Sequence, residues 1–217
     1  YHAHTMGWEQ VARGLYGPLI VEGVKDFETD HDITMMVDDW RLDKDGQIDQ
    51  ASMGSLHDWA HRGRLGNWLT INGKSQFKTS VKINSRIRLR LINSSNARIL
   101  KLKLTGGVGL RVSLDGNPSN LASISKFELG PAQRIDLLLD VGTEPLLLHD
   151  LSSREKVLAG IIKPSSHLGS GIVKRDPLNP NILESIPTNL NHAKRLKVHM
   201  QGGARGNLSH ASFNGEH

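Results

Sequence analysis

The sequence predicts an all-β protein, a sandwich of short strands. Three observations carry that prediction. Apolar and polar residues alternate with period two over long stretches. Gly, Pro, Asn and Asp interrupt the chain at short intervals between those stretches. Only Met53–His61 has a helical look, and only for about two turns. Many short strands punctuated in this way read as two packed sheets.

The N-terminal half opens with Leu19–Val24, Ile33–Val37 and Trp68–Ile71, which read as extended. From Val81 to Leu91 the alternation is nearly strict. Val81, Ile83, Ile87, Leu89 and Leu91 share one face, and Lys82, Asn84, Arg86, Arg88 and Arg90 share the other. Asn93-Ser94-Ser95-Asn96 is turn chemistry, and Leu100, Leu102 and Leu104 then alternate with Lys101 and Lys103. The two stretches are expected to form an antiparallel pair. Further strands are expected over Leu110–Leu114, Ser125–Leu129, Arg134–Val141, Leu146–Leu148 and Val157–Ile162, with a turn at Asp115-Gly116. Residues 164–193 hold Pro164, Pro177, Pro180 and Pro187 among Ser, Asn and Gly, and read as a linker. Beyond it lies a strand-like stretch, Arg195–Met200.

Composition narrows the function. The 217 residues carry 27 Lys plus Arg against 22 Asp plus Glu, a formal charge of +5. No run approaches the 18 or so apolar residues of a membrane helix. The mixed charges and recurring Val/Ile/Leu runs exclude a disordered chain. There is no cysteine, which excludes disulfides, thiol nucleophiles and any thiolate-bound copper within this chain. No basic and apolar leader precedes Tyr1, and both ends read as cuts inside a longer protein.

The chemistry concentrates at Tyr1-His2-Ala3-His4. On extended backbone, residues two apart point the same way, so His2 and His4 would project side by side. Such a pair can grip one metal or straddle two, and imidazole suits copper, zinc, iron and nickel. The competing reading is chance spacing among 11 histidines. His57-Asp58-Trp59-Ala60-His61 imitates a helical zinc-protease motif, but Asp stands where the catalytic Glu belongs, and the segment reads as structural. Arg86, Arg88, Arg90, Lys101 and Lys103 could meet phosphates, yet no aromatic residue alternates with them. A solvated outer face is the expected reading, with no nucleic-acid partner. Asp38 and Asp39 face opposite ways on a strand and read as structural. His192, His199, His210 and His217 lack paired spacing.

The segment downstream of the His-x-His carries a resemblance. Tyr1-His2-Ala3-His4 with Gly14-Leu15-Tyr16-Gly17-Pro18-Leu19-Ile20-Val21 closely resembles the second copper motif of multicopper oxidases. The likeness continues through Asp38-Asp39-Trp40-Arg41-Leu42, Gly63-Arg64-Leu65-Gly66-Asn67 and Arg88–Asn93. It extends to Leu114-Asp115-Gly116 and Leu129–Asp136, in the same order and over nearly the whole chain.

That resemblance implies a cupredoxin-like Greek-key β-sandwich. It implies that residues 1–27 end a first cupredoxin domain and residues 28–165 form a second without copper of its own. Residues 166–193 would be a linker, and 194–217 would begin a third domain. His2 and His4 would be ligands of the type 3 copper pair in a trinuclear cluster that reduces O2 to water. Electrons would come from phenols, aromatic amines or metal ions, in the periplasm or outside the cell. The other three histidine motifs of the family are absent here, so the chain alone is expected to be inactive. The alternatives are a copper-free cupredoxin scaffold and an anion-binding β-module.

Overall fold

The computed structural model describes residues 1–22, 27–153, 155–168, 191–201 and 212–213. Eleven strands build the sandwich: β1 (His31–Trp40), β2 (Trp68–Ile71), β3 (Phe77–Ile83), β4 (Arg86–Asn93), β5 (Leu100–Thr105), β6 (Gly109–Leu114), β7 (Asn117–Ile124), β8 (Lys126–Leu129), β9 (Arg134–Asp140), β10 (Leu146–Asp150) and β11 (Val157–Leu168). One sheet runs β2-β1-β4-β9-β6-β7 and the other β3-β11-β10-β5-β8. The pairs β1–β4 and β3–β11 are parallel; the other pairs in these two sheets are antiparallel. A two-rung ladder joins β12 (Met200–Gln201) to β13 (Ser212–Phe213). Arg195–Val198 therefore precede a strand rather than form one, and β12 takes up only Met200 of the expected stretch.

The core lies between the sheets. Ile87, Leu89 and Leu91 of β4 face Leu100, Leu102 and Leu104 of β5 across it, joined by Leu137, Leu139, Leu146 and Leu148. Leucines at every second position are what place one whole face of each strand in the interior.

The strand pattern around residue 84 differs from the one the alternation predicts. Val81–Leu91 is not one strand. Asn84 takes a left-handed conformation (φ 63°) and the chain passes from β3 in one sheet to β4 in the other. Nor do β4 and β5 pair with each other; they belong to opposite sheets, and Asn93–Arg98 crosses between the layers. Two amphipathic strands joined by a short polar loop can pair edge to edge or face each other across a core, and periodicity is identical in both cases. The crossover is built on Asn93, whose fully buried amide donates to the carbonyls of Arg98 and Leu129 (both 2.8 Å) and accepts from the Ser95 amide (3.0 Å).

Two smaller differences concern segments outside the sandwich strands. Residues 19–22 are not in a strand, and the rest of the expected Leu19–Val24 element, residues 23 and 24, lies outside the described residues. The helical stretch is a single turn, α2 (Leu56–Ala60), capped by the Ser55 hydroxyl. The start of the expected linker is corrected, since residues 164–168 continue β11 beside β3. The rest falls largely outside the described residues, as do His210 and His217; His192 and His199 are exposed.

The Asp115-Gly116 turn closes the β6–β7 hairpin as two central residues, with φ 51° and 79°. Positive φ at both is the mirror-image turn that suits the twist of a hairpin. A Cβ on Gly116 would meet nothing nearer than Arg134 Nη2 at 3.9 Å. Gly116→Ala therefore costs only the backbone penalty, about 1–2 kcal/mol, as a shift in the denaturant midpoint at unchanged slope. A loss within about 0.3 kcal/mol of zero would contradict this turn geometry.

Candidate metal centre

Residues 1–17 form a small closed loop. The Tyr1 backbone nitrogen donates to the Gly17 carbonyl (2.8 Å), the Gly17 amide to Tyr1 O (2.9 Å) and the Ala3 amide to Leu15 O (3.1 Å). His2 thus sits opposite Tyr16 in an antiparallel bridge. Between the two arms runs α1 (Gly7–Gln10) and a 3-10 turn at Val11–Arg13, tied by a Glu9–Arg13 ion pair of 2.7 Å. Gly14 ends the turn at φ 87°, a conformation open to glycine at little cost. Gly17 leaves room for the Tyr1 ring: a Cβ there would lie 2.5 Å from Tyr1 Oη. Of the two, Gly14 is the one the backbone requires, since the Tyr1 ring beside Gly17 is exposed and can shift. The segment finds these pairing partners within the described chain.

The loop is fastened to the sandwich. The Tyr16 hydroxyl donates a short hydrogen bond to Asp38 on β1. Trp8 meets Trp59 of α2 edge-on with ring centres 6.4 Å apart. Asn96 Nδ2 donates to Trp8 O (3.3 Å), and Arg13 Nη2 to Gln50 Oε1 (2.6 Å). Burial, first of all, pushes the Tyr16 phenol and the Asp38 carboxyl upward, the latter to about 6. The phenol keeps its proton and remains the donor.

His2 and His4 are both exposed, with ring centres 6.1 Å apart and planes inclined by 34°. They border a cleft of about 880 Å³ between the loop and the outer face of the six-stranded sheet. On its floor Arg88 pairs with Asp136 at 2.6 Å, and Arg90 bridges Asp32 (2.5 Å) and Asp136 (3.4 Å). Arg86 pairs with Asp140 at 2.6 Å. The expected solvated basic face is thus corrected in two respects. Arg88 and Arg90 are largely shielded and neutralised by carboxylates of β1 and β9, while Lys101 and Lys103 belong to the other sheet. Cross-strand partners decide this, and they depend on register rather than on local sequence.

Two imidazoles are a donor set that suits copper, and their exposure leaves them open to a metal ion. Among the described residues no three His, Cys, Asp or Glu side chains gather to complete a metal site. The other candidates stay apart. Asp38 and Asp39 point to opposite sides, to Tyr16 and to Gly66 with Arg98 respectively. Asp58 is buried and bound to Arg41 at 2.8 Å, so it is unavailable as a base. The Tyr16–Asp38 link and the Asp39–Arg98 cluster leave no trace in local sequence, because they join residues 22 and 59 positions apart.

Comparison with known proteins now defines the class. Residues 31–145 match the family model described as multicopper oxidase, and the chain belongs to that family. Over 214 residues it is 29% identical to the cell division protein FtsP of Salmonella typhimurium, covering 88% of this chain and 43% of that protein. It superimposes on Lac15 from a marine microbial metagenome with TM-score 0.62 and 34% identity, covering 85% of this chain and 46% of that one. The McoA multicopper oxidase 2F4 variant of Aquifex aeolicus shares the fold, with TM-score 0.77 at 22% identity, over 99% of this chain and 50% of that one. The chain spans less than half the length of the curated FtsP relatives it matches. Among the described residues no helix is long and apolar enough to cross a membrane.

Proposed function

We propose that this chain is part of a periplasmic or secreted oxidase that takes electrons from a small reducing substrate and passes them to O2. The substrate class is a phenol, an aromatic amine or a metal ion. His2 and His4 would be type 3 copper ligands, completed by residues from other parts of the protein. The copper cluster, when bound, supplies the redox centre at which four electrons and four protons convert O2 to two waters. The chain's own task is positional. The Tyr1–Gly17 and His2–Tyr16 pairing sets the backbone that carries both imidazoles, and Tyr16–Asp38 ties that backbone to β1. In this reading residues 1–27 complete a first cupredoxin domain, 28–165 are the second, 166–193 link them to a third, and 194–217 begin it.

The observation that carries the proposal is the paired, exposed imidazoles on the bridged segment. The similarity across most of the chain to FtsP, whose name is that of a cell division protein and not of an oxidase, supports a second reading, a cupredoxin-repeat scaffolding or binding protein. The two are separated by assaying the whole gene product for copper content and O2 consumption. His2→Ala and His4→Ala are each expected to lower both, with turnover falling at least about 100-fold, since even groups that only orient a ligand are worth 10–100-fold. A whole protein that takes up no copper and consumes no O2 would overturn the oxidase reading in favour of the scaffold.

A further inference from the structure

A second pair of histidines stands on α2 and at its C-terminal cap. His57 lies within α2 and His61 just past its end, in non-helical backbone (φ -126°, ψ -107°); both are exposed. Their rings stack with centres 4.3 Å apart and planes inclined by 27°. His61 Nδ1 lies 2.8 Å from the carbonyl oxygen of His57. A carbonyl can only accept, so Nδ1 carries the proton and the lone pair resides on Nε2. A backbone carbonyl on one ring nitrogen is the common way of fixing a metal-binding imidazole in its ligating tautomer.

The turn that carries the pair is anchored elsewhere. Asp58 is buried against Arg41, its amide is capped by Ser55, and Trp59 leans on Trp8. These contacts hold the backbone while leaving both imidazoles facing solvent.

We propose that His57 and His61, on turning their stacked rings apart about the exposed side-chain torsions so that two ring nitrogens converge, form a two-imidazole chelate for a divalent first-row transition-metal ion, separate from His2 and His4. Water would fill the remaining positions. Imidazole nitrogens follow the usual order of divalent affinities, so cupric ion is held more tightly than zinc or nickel. The site is not a hydrolase centre, because Asp58 is committed to Arg41 and no third ligand gathers there among the described residues.

The test uses the full chain carrying His2→Ala and His4→Ala, so that its outcome is independent of the oxidase reading. Titration with Cu2+ alone, followed by calorimetry and tryptophan fluorescence, should show uptake that quenches Trp59, which lies between the two ligands in sequence. His57→Ala or His61→Ala should each weaken that uptake at least about tenfold. Both side chains are exposed, so far-ultraviolet circular dichroism should stay unchanged. Trp59→Phe should remove most of the quenching and leave the heat of binding. Electron paramagnetic resonance should report two coupled imidazole nitrogens in the parent variant and one after either substitution. Equal Cu2+ affinity with and without His57 and His61 would overturn the proposal.

Discussion

Arg98→Ala should destabilise the folded chain by about 3–5 kcal/mol, the range for breaking a buried ion pair from one side. The Asp39 side chain is 2% exposed and meets Arg98 Nε at 2.7 Å. Its Oδ2 also accepts the Gly66 amide at 2.6 Å, and Arg98 Nη2 donates to Gly66 O at 2.6 Å. The guanidinium therefore closes a small ring that fastens the 63–67 loop to the end of β1. Oδ1 of Asp39 is buried with no hydrogen-bond partner, and burial pushes this carboxyl above its ordinary value even with Arg98 in place. Removing Arg98 leaves a shielded carboxylate with a single amide donor. Arg98→Lys should recover only part of the loss, since an ammonium lacks the planar fork that reaches both Asp39 and Gly66. Urea unfolding measures the effect. A loss below about 1 kcal/mol, the scale of an exposed ion pair, would show that Asp39 is not held as a shielded charge.

Asp38→Asn should act in the opposite direction and with a marked pH dependence. Burial raises the Asp38 carboxyl from 3.8 to about 6, against hydrogen bonds from Tyr16 and the Asp39 amide that favour the charged form. Between those two values the folded chain holds a proton that the unfolded chain has released. Stability from this group therefore falls as pH rises from about 4 to about 6 and stays low above that, by about 3 kcal/mol in total. Asparagine is neutral throughout. Its oxygen can accept the Asp39 amide while its NH2 donates to Tyr16, whose hydroxyl can turn to Ser94. The variant should exceed the parent by up to about 3 kcal/mol near pH 8 and match it near pH 4. Thermal unfolding of both proteins across that range is the measurement. A stability difference independent of pH would rule out a strained carboxylate at this position.

How much of the fold is legible in the sequence differs by residue. Trp68–Ile71 reads to its true bounds, because Asn67 and Asn72-Gly73 enclose a short apolar run. Asp115-Gly116 declares its hairpin by composition alone. β7 escapes notice because Pro118, Ser119 and Asn120 do not look like a strand; it is tolerated at the edge of the sheet, where a proline leaves no interior rung broken. The break at Asn84 hides inside an otherwise regular alternation, since Asn accepts left-handed backbone without disturbing the pattern. Layer assignment of β4 and β5 is invisible because it is decided by long-range packing. For the candidate centre, His2 and His4 are legible because their relation spans only two residues. Their fastening through Tyr16 and Trp8 is not, since β1 and α2 reach them only after folding.

The ladder of Arg86, Arg88 and Arg90 against Asp32, Asp136 and Asp140 has a consequence for how the chain finds its alignment. On the core side β4 and β9 match Ile87 with Leu139, Leu89 with Leu137 and Leu91 with Ile135. Sliding either strand by two positions would still oppose most of these aliphatic groups to aliphatic groups, so hydrophobicity barely distinguishes the slipped pairing from the native one. The outer side does distinguish it. In register Arg86 faces Asp140 and Arg90 faces Asp136. A slip one way sets Arg90 opposite Arg134 and Arg86 opposite Leu138. A slip the other way sets Ile92 opposite Asp136 and Arg90 opposite Leu138, so that only Arg88 faces a carboxylate in either. The charges thus act as a proofreading key for strand alignment, rejecting misfolded pairings that oil alone would accept.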